Sequence, residues 1–231
     1  MSWVDDAKRR AAEAAADHVV SSSVIGLGSG STAAYFINII GDRLSLGSLN
    51  DILGVPTSHQ AAADALKYGV PLTTLDEHPE LDTTVDGADQ IDGSLNAIKG
   101  GGGALLREKI VASTSKSYIL IADCRKLTER LGDAQTLPIE VLPFSLKGVL
   151  RGLEALGGKP KVRKGDGKLG PVVTDNGNFI VDADFGYISN PEDLEASLKR
   201  IPGVLETGLF LGYADVAYIG YEGEVKKIER K

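Results

Sequence analysis

Residues 84–110 read TVDGADQIDGSLNAIKGGGGALLREKI and bring acidic residues, a lysine, four consecutive glycines and a helix start into one short stretch. Glycine loses the most backbone entropy on folding and packs no side chain. Four glycines in a row are therefore useful only where the backbone adopts a positive φ angle or closely approaches a ligand. The run at residues 100–103 predicts a binding loop, and the polar residues around it indicate the ligand.

Three charged residues in this stretch follow short apolar runs. Asp86 and Asp89 come after residues 84–85, and Lys99 comes after residues 97–98, as expected at the carboxyl ends of buried strands. Ligands bind at the carboxyl ends of the strands in open α/β sheets. We therefore expect all three side chains to belong to a ligand site.

The segment after the glycines, residues 104–112, predicts a helix because its apolar residues recur every three or four positions. Glu108 then lies about one turn inside this helix. A glutamate in the first turn is also favoured by the helix dipole and by capping. For Glu108 considered alone, the structural and the catalytic interpretation both remain open.

A second glycine-rich turn lies near the amino terminus. Residues 23–28 predict a strand that enters the turn, and residues 33–40 predict the helix that follows it. A helix start after such a turn binds anions through its backbone N–H groups. The dinucleotide fingerprint fails here because Ser31 occupies the position of its third glycine, and the P-loop pattern lacks its lysine. Hydroxyl groups instead crowd the turn, which suits a terminal phosphate.

The composition excludes several classes of partner. The formal net charge is −7 and the basic residues are scattered, which disfavours nucleic acid and an anionic membrane. We expect no signal peptide, because no charged segment is followed by an apolar one, and no membrane span, because no apolar run approaches the ~20 residues that cross a bilayer. Cys124, the single cysteine, cannot form an internal disulfide, so a cytoplasmic location is expected.

Strand and helix patterns alternate along the chain, which predicts an α/β fold: a Rossmann-like, mostly parallel sheet with helices on both faces. Residues 1–130 and 210–231 are assigned to this catalytic domain, with one of its strands at residues 71–75. Residues 131–209 follow β-α-β-β-α-β order, which predicts a small α+β ferredoxin-like domain. Within it, Asn176-Gly177 predicts a hairpin turn.

Several longer motifs occur in order along the chain. They are Gly28-Ser-Gly-Ser-Thr32, Asp86-Gly-Ala-Asp89, Lys99-Gly-Gly-Gly102, Arg107-Glu-Lys109, Asp123 to Lys126, Leu137-Pro-Ile-Glu-Val141, Val172-Val-Thr-Asp-Asn-Gly-Asn178 and Ile201-Pro-Gly-Val204. Each motif alone is weakly specific. Together they cover essentially the whole chain, which resembles the type A ribose-5-phosphate isomerases.

The resemblance implies an aldose-ketose isomerase that interconverts D-ribose 5-phosphate and D-ribulose 5-phosphate in the non-oxidative pentose phosphate pathway. It implies a cis-enediolate intermediate and no metal or organic cofactor. Glu108 would be the base that moves a proton between two carbons, which one carboxylate is able to do. Lys99 would stabilise the charge that develops on the carbonyl oxygen. Asp86 and Asp89 would bind sugar hydroxyls, and Asp86 would open the ring.

The resemblance also implies a substrate-binding set of residues, with no metal ligands among them. The set is Ser29, Gly30, Ser31, Thr32, Asp86, Gly87, Ala88, Asp89, Lys99, Gly100, Gly101, Gly102 and Lys126. The first four and Lys126 would hold the phosphate. Arg125, next to that lysine, would either approach the phosphate or point into water. The resemblance further implies that the partner is a small sugar phosphate and that the protein is a homodimer or homotetramer.

Three other functions remain open from the sequence. A sugar-phosphate sensor would share this turn but would need an attached DNA-binding segment, and only about twenty residues precede the first strand. A nucleotide-dependent oxidoreductase is disfavoured by Ser31 and by the lack of an acidic ribose ligand. An isomerase of another sugar phosphate fits the same motifs.

Overall fold

The computed structural model describes residues 2–167 and 169–230, and these form two compact units. The first unit contains the chain up to residue 88, residues 107–127 and the chain from residue 212 onward. The second unit contains residues 89–106 and 128–211. The boundaries near 128 and 212 lie close to those expected from the sequence, whereas the sequence placed residues 89–106 in the first domain.

The structure contains six helices and thirteen strands within its described residues. The helices are α1 (Trp3–Ala16), α2 (Ser31–Ser45), α3 (His59–Lys67), α4 (Leu105–Ser113), α5 (Leu146–Ala155) and α6 (Pro191–Lys199). The strands are β1 (Val24–Leu27), β2 (Leu53–Pro56), β3 (Thr83–Gly87), β4 (Gln90–Ile91), β5 (Ala97–Ile98), β6 (Tyr118–Asp123), β7 (Leu137–Val141), β8 (Lys159–Val162), β9 (Phe179–Asp184), β10 (Val204–Thr207), β11 (Leu209–Phe210), β12 (Val216–Gly220) and β13 (Val225–Glu229). Short 3₁₀ helices span Cys124–Lys126 and Pro143–Ser145.

The first unit is built on a six-stranded sheet in the order β13-β12-β6-β3-β1-β2. All neighbouring strands are parallel except β12 and β13, which are antiparallel. The prediction of a mostly parallel sheet is confirmed. Because β1, β2, β3 and β6 run in one direction, their carboxyl ends meet at the same edge of the sheet.

Helices cover both faces of this sheet, as predicted. Ile25 and Leu27 of β1 point into a core formed with Phe36 of α2 and with buried alanines of α1. The residue between them, Gly26, faces Val111 of α4, whose Cγ1 would lie 2.6 Å from an added Cβ. Alternate residues of a strand point to opposite faces, so α1 and α2 lie on one face and α4 lies on the other.

The second unit contains a four-stranded antiparallel sheet in the order β10-β7-β9-β8. Helix α5 connects β7 to β8 and α6 connects β9 to β10, which is the ferredoxin-like arrangement predicted from the sequence. Val149 and Leu198 from these helices pack with Ile139 and Val181 from the sheet. A smaller sheet, β11-β5-β4, belongs to the same unit and explains why residues 89–106 group with it.

One predicted strand is wrong. Residues 71–75 form no strand; they contribute a single bridge between Leu72 and Gly54 at the edge of the large sheet. Pro71 has no N–H to continue such a ladder. The turn at Asn176-Gly177 is present, with Gly177 at a φ of 80° and its N–H donating to the Thr174 carbonyl.

Candidate active site

Two parallel strands of the first unit deliver hydroxyl groups to one edge of the sheet. Strand β1 leads to Ser29, and β2 leads to Thr57 and to Ser58, the N-cap of α3. The Ser29 hydroxyl lies 2.7 Å from that of Thr57 and donates to that of Ser58 at 2.6 Å. Sequence reasoning assigned no role to Thr57 or Ser58, although hydroxyls directly after a predicted strand were a usable signal.

Helix α2 begins at Ser31, directly after Gly30. Gly30 has a φ of 95°, a conformation that residues with a Cβ rarely adopt. Its own N–H donates to the Gln60 side-chain oxygen at 2.8 Å. The first N–H groups of a helix have no partner within that helix, and Gly30 has no side-chain oxygen to offer them. This helix start therefore suits an anion such as phosphate.

Lys8 adds a positive charge to this turn. It lies on α1, and its Nζ donates to the Ser31 hydroxyl at 2.9 Å. Sequence reasoning missed Lys8, because nothing in an alanine-rich amphipathic helix indicates which lysine approaches a turn more than twenty residues away. The ammonium group gives the turn the local cation that a phosphate requires.

Asp86, near the end of β3, is completely buried. Its Oδ1 accepts hydrogen bonds from the Ser29 N–H at 3.1 Å and from the Gly87 N–H at 2.7 Å. Gly28 has no space for a side chain, because an added Cβ would lie 2.3 Å from Asp86 Oδ1. The carboxyl group is thus held in one orientation against the turn that carries the hydroxyls.

Glu108 and Asp86 both act on the buried phenol of Tyr118. Burial raises the pKa of Tyr118 well above its usual value, and the negative charges of Asp86 and Glu108 raise it further, together with a hydrogen bond to Asp86. Glu108 is 5% exposed and lies in the first turn of α4, as predicted. The first unit therefore contains two buried carboxyl groups whose charges act on one phenol, and perturbed pKa values of this kind cluster at functional sites.

Lys126 ends the 3₁₀ turn that follows β6 and is half-buried. The neighbouring Arg125 is held elsewhere: its Nε and Nη2 donate to the two oxygens of Asp123 at 2.7 and 3.1 Å, and its guanidinium lies 5.7 Å from the Trp3 ring centroid. Although burial of Asp123 works in the other direction, these hydrogen bonds lower its pKa. Arg125 thus anchors the turn that presents Lys126.

The glycine loop and two of the predicted site residues belong to the second unit. Lys99 is 2% exposed, with its Nζ 5.4 Å from the Phe210 ring centroid. Asp89 accepts a hydrogen bond from the Gly101 N–H at 2.7 Å. Gly100 has a φ of 101°, and an added Cβ there would lie 2.7 Å from Leu105. Glycine is therefore required at Gly100, in agreement with the positive φ angle or close approach predicted from the four-glycine run.

Among the described residues, no group of three or more His, Cys, Asp and Glu side chains is placed to hold a metal ion. Among the same residues, no helix is long and apolar enough to cross a membrane.

Comparison with known proteins places these features in context. The family described as ribose 5-phosphate isomerase A (phosphoriboisomerase A) matches residues 53–224. Ribose-5-phosphate isomerase A of Trichodesmium erythraeum is 49% identical, over 96% of this chain and 94% of its own. The enzyme of that name from Pyrococcus horikoshii is 44% identical, over 98% and 99%.

Solved structures give the same result. A D-ribose-5-phosphate isomerase in complex with phospho-erythronic acid superimposes with a TM-score of 0.97 at 44% identity, covering 100% of both chains. Ribose 5-phosphate isomerase A from Methanocaldococcus jannaschii superimposes with a TM-score of 0.93 at 41% identity, covering 97% of this chain and 99% of its own.

Proposed function

The chain belongs to the ribose 5-phosphate isomerase A family, and from that premise we propose that it interconverts D-ribose 5-phosphate and D-ribulose 5-phosphate through a Glu108-mediated proton transfer. The protein is an isomerase of the aldose-ketose class. The observation that supports the proposal most directly is the burial of two carboxyl groups, Asp86 and Glu108, whose negative charges both raise the pKa of Tyr118. A hydroxyl-lined helix start adjoins Asp86 and suits the phosphate of the same substrate.

Glu108 is the proposed base. Isomerisation moves a proton between two adjacent carbons, so one carboxylate that removes it from C2 and returns it to C1 is sufficient. Between these steps the substrate is a cis-enediolate. Burial of Glu108 keeps water away from the proton in transit, and its place in the first turn of a helix fixes the backbone that carries it.

Lys99 and the amides of Gly100, Gly101 and Gly102 are the proposed stabilisers of the negative charge on the carbonyl oxygen. A fixed cation and fixed N–H donors stabilise a developing oxyanion without reorganising during the reaction. Lys99 is almost completely buried, so its ammonium group acts at low local dielectric. No metal or organic cofactor enters this scheme.

Asp86 and Asp89 are the proposed ligands of the sugar hydroxyls, with Gly87 and Ala88 forming the backbone between them. We assign ring opening to Asp86, because its carboxyl group is oriented by the N–H groups of Ser29 and Gly87. Proton exchange with the ring oxygen and the anomeric hydroxyl would produce the open-chain aldehyde that Glu108 requires.

The phosphate is proposed to lie at the start of α2, against Ser29, Gly30, Ser31 and Thr32, with Lys126 as a charge partner. Lys8 joins this group, because its Nζ already donates to the Ser31 hydroxyl. Helix-start amides combined with ammonium groups are a common way to hold a phosphate.

Ser31→Ala combined with Thr32→Val is expected to raise KM by about tenfold or more with little change in kcat, since hydrogen bonds to a charged group contribute about 1.5–3 kcal/mol each. Steady-state kinetics with ribose 5-phosphate measure both constants. Ser45→Ala, at the other end of the same helix, is the matched control. An unchanged KM in the double variant would remove the phosphate from this turn.

The function itself is tested by following ribulose 5-phosphate formation from ribose 5-phosphate in the presence of a metal chelator. We expect full activity with chelator. Failure of the folded wild-type protein to convert this substrate would contradict the proposed reaction, and activity that chelation removes and a metal restores would contradict the cofactor-free mechanism.

We also propose that the enzyme acts in the non-oxidative pentose phosphate pathway, in the cytoplasm, as a homodimer or homotetramer. Cys124 has no second cysteine to pair with, which fits a reducing compartment. Phe144 is 97% exposed and lies two residues after the exposed Leu142 in the second unit, so this unit offers an apolar contact surface. Cell fractionation tests the location, and a monomer in sedimentation velocity would contradict the oligomer.

A further inference from the structure

Arg163 directly follows β8, and both its backbone N–H and its carbonyl form hydrogen bonds. Its N–H donates to the Ile180 carbonyl at 2.8 Å, and its carbonyl accepts from the Val172 N–H at 2.9 Å. Its side chain is 17% exposed. A long, charged side chain that is this well covered requires specific partners.

The guanidinium group has two sets of partners, all within the second unit. Its Nε donates to Asp182 Oδ2 at 2.8 Å and its Nη2 donates to Asp182 Oδ1, which makes a bidentate ion pair. Its Nη1 donates to the carbonyl oxygens of Gly100 at 2.8 Å and of Gly101 at 2.9 Å. Asp182 therefore fixes one edge of the planar guanidinium group, and the Nη1 edge in the same plane holds the glycine loop.

Holding these two carbonyls also sets the direction of two amides. A peptide group is planar and trans, so the C=O of one residue and the N–H of the next point in opposite directions in one plane. The bond to the Gly100 carbonyl thus orients the Gly101 N–H, which donates to Asp89. The bond to the Gly101 carbonyl orients the N–H of Gly102 in the same way.

Glycines contribute no side chains to hold this loop, and each has more backbone freedom than any other residue. Within the run, the Gly103 N–H donates to the Gly100 carbonyl at 2.9 Å, and the other fixed contacts come from side chains outside the run. Asp89 holds one amide, and Arg163 holds the carbonyls of two consecutive peptides.

We propose that Arg163, oriented by Asp182, is a positioning residue that fixes two amides of the glycine loop, directing the Gly101 N–H to Asp89 and the Gly102 N–H to the developing oxyanion. The proposal rests on the proposed function, in which this loop stabilises the oxyanion. Arg163 acts through the loop and takes no part in the proton transfer. Its contribution belongs to the transition state, because a misdirected N–H donor binds a developing charge less well than a fixed one.

Arg163→Lys is the decisive variant, because lysine keeps the positive charge but lacks the planar fork that spans a carboxylate and two carbonyls. We expect kcat to fall about 10- to 100-fold with KM within about threefold of wild type, since small misplacements of catalytic groups cost up to about 10²-fold. Asp182→Asn should give a smaller loss in kcat. The double variant should lose no more kcat than Arg163→Lys, because both substitutions disrupt the same clamp. The clamp is the set of contacts from Asp182 through Arg163 to the carbonyls of Gly100 and Gly101.

Lys199→Gln is the matched control. Lys199 lies in the same unit and also joins a carboxylate to a backbone carbonyl, through Glu206 at 2.9 Å and Leu205 at 2.6 Å, but it does not contact the glycine loop. We expect this variant to keep wild-type kcat. A similar fall in kcat for Lys199→Gln would show that general loosening of the second unit, and not the clamp, lowers activity, and it would overturn the proposal.

Hydrogen exchange separates this proposal from the proposed function, because it requires no substrate. In Arg163→Lys, a peptide spanning residues 96–106 should exchange about tenfold or more faster than in wild type, since two hydrogen bonds to a charged group are lost. Unchanged exchange in that peptide, or an unchanged kcat, would overturn the clamp while leaving Glu108 and the reaction in place. If Arg163→Lys exchanged faster but the wild-type protein did not convert ribose 5-phosphate, Arg163 would still hold the loop in place. Its role in catalysis and the proposed function would both be overturned.

Discussion

Glu108→Gln is expected to lower kcat by about 10²- to 10⁴-fold with little change in KM, because general-base catalysis contributes rate factors of that size. Glutamine has nearly the same shape and retains one oxygen, but its amide cannot accept and return a proton. Glu108 is 5% exposed, so bulk water has little access to act as a base in its place. The measurement is the initial rate of ribulose 5-phosphate formation over a range of substrate concentrations.

The alternative role of Glu108, stabilisation of a helix start, needs its own control. Glu192 also lies in the first turn of a helix, α6, where it is exposed. Glu192→Gln removes the same favourable charge from a helix dipole, and it should leave kcat unchanged. A Glu108→Gln enzyme that keeps a near-normal kcat and unfolds at lower urea concentration would assign Glu108 to the helix and remove it from the mechanism.

Gly28→Ala is expected to damage both the fold and the site. The added Cβ would lie 2.3 Å from Asp86 Oδ1 and 2.5 Å from Asp86 Cα, and a backbone atom cannot move aside as a flexible side chain can. Overpacking of this kind lowers the free energy of unfolding by about 1–3 kcal/mol. Displacement of Asp86 should also reduce kcat/KM by about 10²-fold. Urea denaturation and steady-state kinetics on one preparation measure the two effects.

Gly93→Ala is the control for this substitution. No atom lies within 4 Å of an added Cβ at Gly93, and its φ is not positive, so neither the urea midpoint nor kcat/KM should fall. If Gly28→Ala retained both the stability and the activity of the wild type, the close approach of Gly28 to Asp86 would not matter for function, and the proposed role of Asp86 in ring opening would be contradicted.

The sequence alone determines those features that depend on neighbouring residues. The glycine run at 100–103, the strand-turn-helix at residues 23–40 and the Asn176-Gly177 turn each follow from local backbone requirements, and the structure contains all three. The alternation of strands and helices was sufficient to predict the parallel sheet and the ferredoxin-like order of the second unit. Glu108 was placed correctly in a first helical turn because helical periodicity is also local.

Only the tertiary structure decided which distant residues support these local features. Lys8 is 23 residues from the Ser31 hydroxyl that it contacts, and Arg163 is 63 residues from the Gly100 carbonyl that it holds. Residues 89–106 grouped with the second unit because β5 pairs with β11, far along the chain. Neither periodicity nor turn composition contains information about such pairs, because they are selected by the packing of whole elements rather than by the conformational preferences of adjacent residues.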